Sequence, residues 1–247
     1  VAYASGAVVA EDLLTNFGCE DFRFSATTPM GGASAVAALQ CASMAVSTGV
    51  ATHVLIPLGR DGYSGARINR RVGQMRQFRV VSEFEAPVGA NAPAQYYAPM
   101  ARRHMELYGT TSEQFAEVAL TMRRHAALND NALMRTPITV ADHQASRMIA
   151  DPFRLLDCCL ESDGGAAVVV SGAERAADMP QPPIVLSGMG VGHPDSPSAI
   201  TQRPDMTRLG LAKAAPRVFE MADVTHDDID VAEIYDCFTY TVICQLE

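Results

Sequence analysis

Lysine occurs once in the 247 residues, at Lys213, against eighteen arginines. Arginine cannot form the imine of a Schiff-base mechanism, so a lysine-dependent aldolase or a pyridoxal-phosphate enzyme would rest on that single side chain. Six cysteines, at 19, 41, 158, 159, 237 and 244, lie in apolar stretches without C-x-x-C spacing or paired histidines. That pattern predicts reduced thiols and no metal site. Gly31-Gly32-Ala33 precedes a long apolar run. Backbone N–H groups at such a helix N-terminus can receive an oxyanion without any side chain, although a turn chosen for packing alone would read the same. Between Arg60 and Arg79 there are six arginines and one aspartate, a local charge of +5 (6 − 1). This stretch could meet the phosphates of a ligand or form a solvated or partner-facing loop.

The composition around these residues is that of an ordinary globular chain, 48% apolar and 19% charged. Disorder, a collagen-like repeat and a small disulfide scaffold are excluded. A net charge of −9 argues against general nucleic-acid binding. No apolar run approaches the roughly 20 residues of a membrane span, and no secretory n-region opens the chain, so a cytoplasmic protein without a membrane span is expected. The sequence opens at Val1 without a methionine and closes at Glu247 inside an apolar helical pattern, as a piece of a longer chain would.

The elements that must position these groups alternate. Residues 22–27 alternate like a strand, Pro-Met-Gly-Gly breaks the pattern, and 33–48 reads as a helix ending at Gly49. That helix carries no charge on any face, which predicts burial all round, between two sheets. Residues 53–58 then read as a buried parallel strand completing a βαβ unit. After a loop-rich, basic stretch from 59 to about 91, helices are expected at 92–108 and 112–128. The second has Phe115, Val118, Ala119 and Met122 facing inward and a Thr111/Gln114 capping box. Short extended segments follow at 136–140, 148–151 and 153–160, and a strand of small residues at 166–170. Residues 172–182 are the most linker-like. Beyond them come a strand near 184–188, a helix near 206–221, a strand at 231–235 and a helix from 237. Such alternation predicts an α/β fold with mostly parallel sheets.

Several runs resemble the thiolases, in particular the sterol-carrier or nonspecific lipid-transfer type: 108–120 (YGTTSEQFAEVAL), 123–139, 146–170 (SRMIADPFRLLDCCLESDGGAAVVV) and 234–240 (IYDCFTY). The resemblance implies a layered αβαβα thiolase fold with two similar βα halves. These are an N-terminal half over 1–177, with an inserted loop region at about 59–160, and the start of a C-terminal half over 178–247. It also implies a homodimer. Matching Gly32-Ala33-Ser34-Ala35 to the family's nucleophile turn puts Gly32 where the cysteine belongs, and a shift of one or two residues puts Gly31 or Met30 there. Cys41, nine residues on, reads as a small core residue.

Tyr235-Asp236-Cys237-Phe238 stands where related enzymes carry His-Asp-Cys-Phe or Asn-Glu-Ala-Phe. Glycine at the nucleophile position with tyrosine in this motif resembles the thiolase-superfamily aldolases that shorten steroid side chains. The resemblance implies retro-aldol cleavage of a β-hydroxyacyl-CoA, with CoA as part of the substrate and no covalently bound cofactor. Tyr235 is then the candidate acid/base group, its phenol pKa lowered by local dipoles or relayed by a water. Tyr240 is a second candidate or a core residue, Asp236 orients a donor or caps the following helix, and Gly31, Gly32 and Ala33 offer the oxyanion amides. A small OB-fold and zinc-ribbon partner protein is implied as well, with a steroid or other bulky acyl-CoA as substrate. Two alternatives stand beside this: a degradative acyl-CoA thiolase with another nucleophile, and a non-catalytic acyl-CoA or lipid-binding subunit. Gly192-His193-Pro194 resembles a thiolase Gly-His-Pro motif but precedes the Tyr-Asp-Cys-Phe segment, so His193 is read as a loop residue.

Overall fold

The computed structural model describes residues 10–18, 20–71, 79–195 and 202–247. Its elements are α1 (Ala10–Phe17), α2 (Ser34–Ser47), β1 (His53–Asp61), α3 (Ile68–Arg71), α4 (Pro93–Tyr108), α5 (Ser112–Ala127), α6 (Val140–Ala145), β2 (Met148–Ala150), β3 (Phe153–Arg154), β4 (Asp163–Ser171), α7 (Leu211–Ala222) and α8 (Thr239–Leu246). Two compact units emerge. The first is Val1–Arg67 with Ser162–Gly192 and Lys213–Asp228; the second is Ile68–Glu161 with His193–Ala212 and Ile229–Glu247. The expected linker at 172–182 falls wholly within the first.

In the first unit β1 pairs with β4 from His53↔Ser171 to Asp61↔Asp163, and the pairing is antiparallel. The parallel strand expected at 53–58 is corrected here, because the described residues between β1 and β4 supply no crossover helix to this unit and the chain re-enters running the opposite way. The Asp163 carboxylate closes the ladder's end, accepting the N–H groups of Tyr63 (2.8 Å) and Ser64 (3.0 Å). Strand β1 is only half buried: Val54 and Ile56 point inward, while Leu55 between them is exposed, as befits an antiparallel sheet with one covered face.

Helix α2 packs on that face through Ala38, Ala42 and Ala45, with Phe24 and Ala26 beside them. Its small side chains allow close approach, but Val36 and Met44 are 57% and 52% exposed. Burial all round is thus not what this chain provides, since among the described residues of the unit a single two-stranded sheet meets the helix. The strands expected at 22–27, 184–188 and 231–235 form no ladder among the described residues. A β-rich composition needs a neighbouring strand before it becomes one. Residues near Gly188 lie instead against α7, where a Cβ would come within 2.5 Å of the Val218 carbonyl oxygen.

The second unit is helical around an aromatic core. Phe153 is fully buried and stacks on Phe238, with ring centroids 4.9 Å apart, and Phe115 approaches Phe153 at 6.3 Å. The Thr111/Gln114 capping box forms as expected, and Phe115 and Ala116 are the buried residues of α5, although Met122 is exposed. No described helix is long and apolar enough to cross a membrane. Phe153→Ala should lower stability by about 3–5 kcal/mol, whereas Leu128→Ala, at a residue 88% exposed, should change it by less than about 0.5 kcal/mol. Equal urea midpoints for the two variants would contradict this placement of the core.

Candidate functional site

The Tyr235–Phe238 segment is held from two sides within the second unit. On one side Cys158 bridges Phe238 in antiparallel register, and the Cys159 N–H donates to the Cys237 carbonyl at 3.1 Å. On the other, α8 reaches back to Tyr235, whose carbonyl accepts from Gln245 Nε2 (2.7 Å) and Thr241 Oγ1 (3.3 Å). The motif is therefore braced at its backbone, which leaves side chains to do chemistry.

Tyr235 is 51% exposed as a residue, but its hydroxyl end is drawn toward Cys237. Desolvation there, together with the negative charge that Cys237 and Tyr97 would carry if ionised, holds the phenol pKa well above the ordinary tyrosine value. This corrects the expectation of a lowered pKa: the surroundings supply burial and acidic neighbours rather than favourable dipoles. Tyr235 is a neutral phenol at physiological pH, suited to donating a proton or a hydrogen bond. Cys237 is buried, lies 3.7 Å from Thr241 Oγ1, and is pushed up to about 11 by burial even though hydrogen bonds from Thr241 and Tyr235 pull it down. Cys158, pushed up to about 12 by burial and by the charge of Asp157, is no better a nucleophile.

Sequence reasoning missed Tyr97. Its ring packs on Phe238 at 5.0 Å, and burial and the contact with Cys237 raise its pKa too. Two phenols thus flank one thiol. The Tyr96-Tyr97 doublet in α4 gave no local hint, because only the packing of α4 shows which ring faces the motif. Arg203, whose pKa burial lowers, lies where Tyr97, Tyr240 and Glu85 oppose that effect.

The other expected site residues fall as follows. Tyr240 is fully buried in the aromatic core, edge-on to His104 at 5.5 Å, its hydroxyl donating to Cys244 Sγ at 3.6 Å. It is a core residue. Asp236 is exposed and does not cap α8, whose N-cap is Phe238 with no side-chain cap bond; the helix begins too far along the chain for Asp236 to serve. Gly31–Ala33 forms a 3-10 turn leading into α2, with Gly31 at φ +60°, a backbone conformation that glycine adopts without strain. The Ala33 N–H is spent on the Met30 carbonyl at 3.2 Å, so an oxyanion at this turn would draw on Gly31 and Gly32. The turn belongs to the first unit and the tyrosines to the second. His193 is exposed in a loop, as expected, whereas Cys41, expected in the core, is only partly buried, because the α2 face that packs on the sheet is the one carrying Ala38, Ala42 and Ala45. Of the arginine cluster, residues 72–78 lie outside the described ones; Arg67 covers the Tyr63 ring at 4.7 Å and Arg79 pairs with Glu83 at 2.6 Å. An open cleft of about 270 Å³ in the first unit, lined among others by Leu13, Phe17, Phe24 and His53, contains none of the candidate residues.

Residues 192–247 match the family described as thiolase C-terminal domain-like. The chain is thiolase-like in sequence and in fold. It is 39% identical over 242 residues to a steroid side-chain-cleaving aldolase of Thermomonospora curvata, covering 94% of this chain and 61% of that protein. It is 37% identical over 238 residues to the 17-hydroxy-3-oxo-4-pregnene-20-carboxyl-CoA lyase of Mycobacterium tuberculosis, covering 93% and 62%. Among solved structures an Ltp2-ChsH2(DUF35) aldolase superposes with a TM-score of 0.90 at 35% identity, covering 99% of this chain and 64% of that one. The chain thus spans about three fifths of the length of these relatives.

A raised thiol pKa has a direct consequence. With a pKa of about 11, roughly one Cys237 in a thousand is thiolate at about pH 8, and that fraction rises about tenfold per pH unit until the pKa is reached. Iodoacetamide followed by peptide mass spectrometry should therefore label the exposed Cys159 well before Cys237. Labelling of both at one rate would contradict the site described.

Proposed function

We propose that the protein is a retro-aldol lyase that cleaves a β-hydroxyacyl-CoA to a ketone and a shorter acyl-CoA without an acyl-enzyme. The observation that carries this reading is Tyr235, whose phenol stays protonated beside Cys237 in a segment braced by Cys159 and Gln245. The aldolase and lyase names of the relatives support it.

The chemistry fits a neutral phenol. As the Cα–Cβ bond breaks, its electron pair passes to the Cα side as a thioester enolate. The β-hydroxyl loses its proton and becomes the ketone, and a proton then returns to Cα. The reaction involves no net oxidation and needs no enzyme nucleophile. Tyr235 donates to the enolate and is its proton source, and a water takes the hydroxyl proton and passes it back to the phenolate, so that Tyr235 ends the cycle neutral. A steroid or similarly bulky acyl chain is the proposed substrate, supported by the relatives' names and by the room left where thiolases carry a cysteine side chain. A homodimer, a cytoplasmic setting and an OB-fold/zinc-ribbon partner complete the proposal. The partner is supported by the two-protein aldolase among the similar structures.

The test is incubation of the full-length protein, with and without the candidate partner, with a steroid β-hydroxyacyl-CoA bearing a tertiary alcohol, following ketone and acyl-CoA by chromatography. Cleavage is expected, falling by about a hundredfold or more in Tyr235→Phe. Tight binding without cleavage even with the partner present would favour a lipid-binding subunit instead.

A further inference from the structure

Asp157 and His143 form a pair whose side chains have no solvent contact. A carboxylate so placed must be satisfied by donors, and here each oxygen is. Oδ1 accepts from His143 Nε2 at 2.8 Å and from Thr239 Oγ1 at 2.7 Å, and Oδ2 accepts from the Arg154 N–H at 2.7 Å. Gln144 Nε2 donates to His143 Nδ1 at 3.3 Å and to Ser112 Oγ at 3.0 Å. With Nδ1 accepting, the imidazole proton sits on Nε2 and points at Asp157.

Thr239 is the first residue of α8, a helix whose N-cap side chain contributes no capping bond. Its hydroxyl therefore ties the start of α8 to Asp157, and α8 in turn holds the Tyr235 carbonyl through Thr241 and Gln245. We propose that Asp157 is a positioning residue for Tyr235, acting through Thr239 and held in orientation by His143. The proposal rests on the reading of Tyr235 as the group that meets the substrate. Misplacement of such a group by a fraction of an ångström is enough to cost rate without abolishing binding.

The experiment compares Thr239→Val, which keeps the shape and removes the hydroxyl, with Thr239→Ser, which keeps the hydroxyl. In the presence of the partner, Thr239→Val should lower kcat about tenfold with KM within about threefold, and Thr239→Ser should return kcat to within about threefold of the parent. Hydrogen exchange supplies a readout that needs no turnover: amides at 237–241 should exchange about tenfold faster in Thr239→Val, with α5 unchanged and the parent pattern restored in Thr239→Ser. An unchanged kcat in Thr239→Val overturns the proposal. So does protection lost evenly across α5 and α8, or a loss that Thr239→Ser does not restore. If the parent protein itself shows no cleavage, the functional reading fails, and the exchange comparison alone then decides for or against the tether by the same outcomes.

Discussion

A carboxylate buried without solvent has to be matched by donors, and much of the second unit is arranged to match Asp157. His143 comes from α6, the Arg154 amide from β3 and the Thr239 hydroxyl from α8, so one side chain draws together segments that lie up to 96 residues apart (239 − 143). The aromatic stack of Phe153 on Phe238 runs alongside, adding apolar contact to a polar tether. What these two sets of contacts share is the backbone around 237–239. The Tyr235 and Cys237 side chains are presented from a frame that their own carbonyl groups help to make.

That frame was only partly legible in the sequence. The helices at Pro93–Tyr108 and Ser112–Ala127 could be read to within a residue because their signals are local: a capping box, a spaced apolar face, a glycine after Tyr108. The pairing of β1 with β4 was not, since His53 and Ser171 lie 118 residues apart and no local pattern says whether distant strands run parallel or antiparallel. The apolar character of α2 alone predicts burial on every side, whereas the Ala-rich composition here reflects close packing on one sheet face. At the site, family resemblance singled out Tyr235, but its environment depends on Tyr97 and Cys159, brought in from α4 and the 158–159 segment. Asp157 and His143 carry no signature at all, because an acidic residue and a histidine fourteen positions apart become a buried pair only in three dimensions.

The chemistry turns on what the thiols are. Burial holds both Cys158 and Cys237 in the protonated form, and under the proposed reading glycine stands where thiolases place their nucleophile. A phenol kept neutral by the same burial suits proton donation to an enolate and not attack on a thioester. Under the proposed reading, desolvation suppresses nucleophilic catalysis at this segment and leaves acid catalysis to Tyr235.

Intact-protein mass spectrometry after incubation with an acyl-CoA tests this most directly. The account predicts an unchanged protein mass at every time point. Accumulation of one acyl group per chain, mapped to any cysteine, would contradict it.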